Sequence, residues 1–197
     1  MIVYIHGFNS APDINNAKVI ALREIDKTIK FLKYDSFAPA PENLEKLRKM
    51  LNEFLGQDLQ ITLVGTSLGG FYAGILAKEY SLPSILINPV YEPFRQMKVF
   101  VGQPLRNYVT NEPNELSQET VSSYAGYDFD GCAVAPLLVI GMNDIIINPE
   151  KTLRLFSNKY ECVVSRTSNH SFRDLVDVIP RLQSYVIFNQ TNSDMNS

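Results

Sequence analysis

The chain has 197 residues, of which 45% are hydrophobic and 20% charged, and its net charge is −3. That length and composition fit one globular domain, able to bury roughly 70% of its unfolded surface. No Lys/Arg run offers a nucleic-acid footprint, and no apolar stretch approaches a membrane span.

MIVYI at 1–5 is a short β-branched apolar run, expected as a buried strand. It turns polar after five residues and lacks a basic leader, so it does not read as a signal peptide; a cytoplasmic location is the expectation. Ile14, Ala17, Ala21 and Ile25 recur at helical spacing within 14–27. KFLKY at 30–34 is the second expected strand. Pro41 suits a helix start, because its missing N–H would be unpaired there. Leu44, Leu47, Leu51, Phe54 and Leu55 then make one apolar stripe along 42–55, and Gly56 fits just past its end.

QITLV at 60–64 predicts a third strand. A helix carrying Leu68, Phe71, Tyr72, Ile75 and Leu76 follows. SILIN at 84–88, LLVIG at 137–141 and ECVVS at 161–165 predict strands four to six, with a short helix at 149–157. A last helix is expected from near Ser171, through Phe172, Leu175, Val176, Ile179 and Leu182, kinked or divided at Pro180. Apolar strands alternating with amphipathic helices specify an α/β fold: a mainly parallel six-stranded sheet with helices on both faces. The Pro-rich, polar stretch 89–135 breaks that rhythm and is expected to form a small cap inserted into a single domain of residues 1–188. The tail 189–197 is polar and expected to be disordered; its Asn189-Gln190-Thr191 sequon reads as chance. Cys132 and Cys162 are expected as free thiols, and no metal-ligand spacing is present.

One turn carries more glycine than a connection needs. Gly65-Thr66-Ser67-Leu68-Gly69 fits G-x-S-x-G between an expected strand and an expected helix, the context in which this pattern presents a nucleophilic serine. The plain alternative is a tight turn with a capping serine. A serine hydroxyl needs a base. The chain has His6, after the first strand, and His170, after the last. His6-Gly7 leads into a loop suited to aiming backbone N–H groups, which leaves His170 as the base rather than a structural histidine. The imidazole in turn needs a carboxylate. Asp144 follows the fifth strand, giving the order Ser67, Asp144, His170; Asp35, Asp128 and Asp130 are rivals without that placement. The backbone N–H groups of Phe8 and Leu68 are the expected oxyanion donors. Tyr91, Phe94 and Met97, with Val99, Phe100 and Tyr108, supply either an apolar acyl pocket or the seat of the cap. Arg95, Lys98 and Arg106 read chiefly as a solvated face, although they bias the cap toward a phosphate-bearing substrate.

The stretches His6-Gly7-Phe8-Asn9-Ser10-Ala11-Pro12, Gly65 to Ala73, Ile87-Asn88-Pro89, Asp144 and His170-Ser171-Phe172 together resemble the YqiA/YcfP-like esterases of the α/β-hydrolase superfamily, over about residues 1–188. The resemblance implies a compact hydrolase core and hydrolysis of carboxylic esters or thioesters without a cofactor. Two positions depart from the family pattern. Thr167-Ser168-Asn169 stands where Gly-Gly is usual, and Ile145 stands where Glu often follows the acid. The expectation is therefore a serine esterase or thioesterase acting on a small acyl substrate, with no nucleic-acid partner and no membrane span. The same triad acting on a peptide or lactone, and a catalytically silent binding module, are the alternatives.

Overall fold

A computed structural model of the chain describes residues 1–57 and 60–195. Six parallel strands form the central sheet: β1 (Ile2–Ile5), β2 (Lys30–Leu32), β3 (Thr62–Thr66), β4 (Ser84–Ile87), β7 (Leu137–Gly141) and β8 (Cys162–Ser165). Their order is β2-β1-β3-β4-β7-β8. A fully buried parallel sheet needs apolar residues on both faces, and the strands supply them with period two. Val3, Ile5, Leu63, Leu86, Leu138 and Ile140 face one core. Ile2, Tyr4, Val64, Ile85, Ile87, Leu137 and Val139 face the other.

Helices α2 (Ala40–Leu55), α3 (Leu68–Tyr80) and α6 (Pro149–Phe156) cover the first face. The stripe read from the sequence does this for α2: Leu44, Leu47 and Leu51 are fully buried, each stabilising by about 1.5–3 kcal/mol. Pro41 lies in the first turn of α2 and Gly56 caps its end. Helix α3 is buried almost all round, as expected of a central helix in this architecture. Helices α1 (Ala17–Leu22) and α7 (Ile179–Met195) cover the second face through Val19, Leu22, Leu182 and Val186.

Three expectations are corrected. The 14–27 periodicity yields only the six residues of α1, because residues 23–25 leave the helix in tight turns that bond back to Ala21 and Leu22. The last helix starts later than near Ser171: residues 171–174 are not helical, a 3₁₀ turn spans Leu175–Val178, and α7 begins at Ile179, with the expected division at Pro180, where a proline's missing donor is tolerated. Helix α7 also runs on through Asn189 to Met195, so this part of the expected tail is helical; its polar residues continue a helix already anchored by Leu182 and Val186.

Between β4 and β7 the chain forms α4 (Pro93–Gln96), a 3₁₀ turn, the antiparallel pair β5 (Pro104–Arg106) and β6 (Pro113–Glu115), and α5 (Gln118–Ser122). Leu116, Val121, Tyr124 and Phe129 bury this segment in the first core. The Tyr124 hydroxyl lies 3.0 Å from that of Tyr72, which accepts from Asn43 Nδ2 at 3.2 Å. A buried polar chain thus pins the segment to α2 and α3. Among the described residues, no helix is long and apolar enough to cross a membrane.

Candidate active site

The sheet topology selects one end of the molecule. Strand β1 pairs with β2 on one side and β3 on the other, so successive connections leave in opposite directions. A crevice opens at the carboxyl ends of such strands. The loop after β1 carries His6, Gly7 and Phe8; the turn after β3 carries Ser67; the loops after β7 and β8 carry Asp144 and His170.

Ser67 has φ 55° and ψ −121°, a left-handed position that costs a non-glycine residue energy and persists where its surroundings enforce it. Here its N–H donates to the Ile87 carbonyl at 2.9 Å, while its carbonyl accepts from Gly70, Phe71 and Val90. The flanking glycines allow this turn. A Cβ on Gly65 would lie 2.2 Å from the Gly69 carbonyl oxygen, and one on Gly69 would lie 2.2 Å from that of His6. Strand, turn and helix approach too closely for any side chain at either position.

The structure brings Ser67, His170 and Asp144 together. His170 Nε2 lies 3.2 Å from Ser67 Oγ, and His170 Nδ1 lies 2.7 Å from Asp144 Oδ2. Asp144 is buried, and its Oδ1 accepts from the N–H groups of Ile146 at 2.8 Å and Ile147 at 2.9 Å. Those bonds fix the orientation of the carboxylate toward His170. The N–H groups of Phe8 and Leu68 donate to no acceptor among the described residues; Leu68 directly follows Ser67, and a Cβ on Gly7, next to Phe8, would lie 3.5 Å from Ser67 Cβ. The Thr167-Ser168-Asn169 stretch does not hold His170 away: the Ser168 carbonyl accepts from Asn143 N–H, the Thr167 carbonyl from Asn143 Nδ2, and Ser168 is buried. Ile145 is 92% exposed and lies along the cavity described below.

His6 takes a different part. Its ring stacks on Tyr34, with centroids 4.4 Å apart, and Nδ1 donates to the Gly7 carbonyl. Burial, opposed weakly by backbone bonds, draws its pKa down to about 4, so it stays neutral at pH 7. Asp35, Asp128 and Asp130 lie elsewhere: Asp35 caps a turn, and the other two pair with Lys78 and Lys159.

Ser67 and His170 line a cavity of about 1100 Å³. Phe8, Val90, Met97, Phe100, Tyr108 and Ile145 give it an apolar wall. Of the three pocket residues expected from sequence, only Met97 lines it. Tyr91 is instead packed edge-on against Phe156 in the core, and Phe94 lies under the Lys98 ammonium. Among the charges of this segment, Arg95 pairs with Glu92 and Arg106 donates to the Asn111 carbonyl; with Lys98, they stay off the cavity wall. Cys132 and Cys162 are free. Among the described residues, no cluster of His, Cys, Asp or Glu is arranged to hold a metal ion.

Sequence reasoning missed the role of Asn88. This residue is buried, at φ 42°, just past β4. Its Nδ2 donates to the carbonyls of Asn169 at 3.0 Å and His170 at 3.3 Å, and its Oδ1 accepts from the Gly141 N–H at 2.8 Å. One side chain therefore ties the histidine loop to the strand that delivers the acid. The signal was present: an Asn-Pro pair directly after a strand favours a turn.

Residues 1–187 match the sequence model of the "Uncharacterised protein family (UPF0227)". The chain belongs to this family. Its relatives include a UPF0227 protein of Serratia proteamaculans (strain 568), 25% identical over 187 residues that cover 94% of this chain and 98% of that one. The UPF0227 protein YcfP of Escherichia coli O9:H4 (strain HS) is 24% identical over 188 residues, with the same coverage. Similar solved structures include Est1E from Butyrivibrio proteoclasticus, with a TM-score of 0.74, 15% identity, and 96% of this chain and 88% of that one covered. The esterase domain of a Rhodothermus marinus protein gives a TM-score of 0.69 at 17% identity, covering 93% of this chain and 85% of that one. At these identities the likeness establishes the α/β-hydrolase fold.

Proposed function

We propose that this UPF0227 member is a serine hydrolase that cleaves carboxylic esters or thioesters through an acyl-enzyme. The observation that carries this reading is the unbroken relay from Ser67 Oγ to His170 Nε2, at 3.2 Å, and from His170 Nδ1 to Asp144 Oδ2, at 2.7 Å. Ser67 Oγ attacks the acyl carbon while its proton passes to His170 Nε2. The carbonyl oxygen becomes an oxyanion, received by the N–H groups of Phe8 and Leu68. When the tetrahedral adduct collapses, the bond to the leaving oxygen or sulfur breaks, and the leaving group takes the proton from Nε2. Water then repeats the sequence on the acyl-serine: Nε2 takes its proton, and returns one to Ser67 as the acid departs. Asp144 holds the imidazole with its proton on Nδ1 and stabilises the transient imidazolium.

The apolar wall of Phe8, Met97 and Phe100 receives the acyl chain. Segment 89–135, seated by Tyr124 and Phe129, serves as the cap that shapes this wall. The esterases among the structural neighbours support the reading by analogy of fold alone. A fluorescent fluorophosphonate tests it: wild type is expected to label, and folded Ser67→Ala and His170→Ala are not. A folded wild type that resists labelling refutes an activated Ser67 and favours a silent binding module.

A further inference from the structure

The cavity wall is not apolar throughout, and its cations lack counter-ions. Lys18, in the first turn of α1, lines the cavity and is only 8% exposed. Its ammonium donates to the Ser171 carbonyl at 2.6 Å and forms no ion pair among the described residues. Arg173 lines the same cavity, exposed, and likewise has no carboxylate partner among them. Lys78, Lys151 and Lys159, whose side chains are far more exposed, each meet an Asp or Glu. Among the described residues, Asp13 is the one carboxylate on the cavity wall, and it forms no ion pair with Lys18 or Arg173. A desolvated ammonium with one carbonyl acceptor retains two unused N–H donors and an uncompensated charge, a costly arrangement unless something supplies the anion. Burial, and next the nearby Arg173 charge, pull the Lys18 ammonium down to about 8, still mostly protonated at pH 7.

Position specifies which part of a substrate would meet these cations. Ser171 directly follows His170, so Lys18 is bonded to the backbone of the loop that carries the base. The leaving group must face His170 Nε2 to take its proton.

We propose that the substrate bears an oxyanion group, carboxylate or phosphate, on its alcohol or thiol portion, and that Lys18 and Arg173 receive it. This specificity rests on the serine-hydrolase reading of the same cavity. An apolar acyl chain then lies along Phe8, Met97 and Phe100 while the charged leaving portion lies along Lys18 and Arg173. The substrate class is an amphiphilic acyl ester or thioester of a small acidic alcohol or thiol.

The test uses matched probes on the full chain. These are 3-(butyryloxy)benzoate, its neutral methyl ester and 3-(butyryloxy)phenyl phosphate, with mono-4-nitrophenyl succinate and 4-nitrophenyl butyrate as the pair whose charge lies on the acyl side. The readout is the ratio of kcat/KM for the anionic probe to that for its neutral partner, within each variant. Comparing ratios cancels the intrinsic reactivity of each ester and any general damage to the site. Lys18→Met is expected to lower the leaving-side ratio at least tenfold, and Arg173→Glu to lower it in the same direction. The two anionic leaving groups distinguish carboxylate from phosphate. An unchanged ratio in folded Lys18→Met overturns the proposal. Should Lys18→Met not fold, Arg173→Glu at an exposed position decides it by the same criterion. A loss confined to the succinate pair also overturns it, because it places the anion on the acyl side. Failure of wild type to hydrolyse any ester refutes the hydrolase reading instead. In that case calorimetric binding of 3-hydroxybenzoate decides the anion site: at least tenfold weaker binding by Lys18→Met supports it, and equal or absent binding overturns it.

Discussion

Replacing Asn88 tests whether one buried amide assembles the loops that carry Asp144 and His170. In Asn88→Ala, the Gly141 N–H loses its partner at 2.8 Å, and the Asn169 carbonyl loses one at 3.0 Å but keeps the Phe172 N–H at 3.1 Å. A buried polar group left unpaired costs about 1–3 kcal/mol, and a lost bond to a group that keeps another partner about 0.5–1.5 kcal/mol. The third bond, to the His170 carbonyl at 3.3 Å, is long and adds little. Alanine must also adopt the φ of 42° that asparagine tolerates better, at about 1 kcal/mol. Together these effects sum to about 4 kcal/mol, a large part of the 5–15 kcal/mol that holds a typical domain together. Asn88→Gly removes the backbone strain but not the lost bonds, so it is expected to recover about 1 kcal/mol of the deficit. Urea unfolding at pH 7, followed by far-UV circular dichroism, measures both variants. Turnover of 4-nitrophenyl butyrate is read on the folded fraction, where a His170 displaced by about 1 Å costs about 100-fold. A loss of stability below about 1 kcal/mol refutes the bookkeeping of bonds. A large loss of stability with normal turnover refutes Asn88 as a positioning residue for His170.

Other outcomes follow from the same coordinates. Asp144→Asn presents an amide to His170 Nδ1 and favours the wrong tautomer, so kcat is expected to fall on the order of 10⁴-fold while KM changes little; steady-state kinetics checks this. Gly69→Ala forces a Cβ to within 2.2 Å of the His6 carbonyl oxygen and 2.3 Å of that of Ile5, both backbone atoms at a strand end. It is expected to cost more than about 3 kcal/mol, measured as a lowered urea midpoint or failure to fold. His6 gives a pH dependence. Its pKa is about 4 when folded and 6.5 when free, so between those values the unfolded chain holds a proton that the folded chain refuses. Its contribution is intact above pH 6.5 and is lost as pH falls, by about 1.4 kcal/mol per pH unit and about 3 kcal/mol across the window. His6→Gln is expected to flatten the stability profile between pH 6.5 and 4 by about one proton; an unchanged slope overturns the assignment of a buried neutral His6.

Local pattern determined a good deal about this protein. The period-two alternation of Ile2 to Ile5 and of Leu137 to Ile140 specifies strands buried on both faces, and the leucine spacing of 44, 47 and 51 specifies a helix packed on them. The Gly65 to Gly69 turn marks Ser67, because only glycine fits at 65 and 69, where strand, turn and helix meet. With two histidines in the chain, elimination reached His170 before any distance was known. What sequence left undecided depends on groups far apart in the chain. Whether Tyr91 faces the cavity or the core depends on Phe156, and whether polar residues 189–195 form a helix depends on how Leu182 and Val186 dock. Likewise, Asn88 meets His170 across 82 residues, and Lys18 meets Ser171 across 153. Periodicity reports which face of an element is apolar, since that is a property of neighbouring residues. The partner of a polar side chain is set by which loops the sheet order β2-β1-β3-β4-β7-β8 gathers at one end, and only the folded chain supplies that proximity.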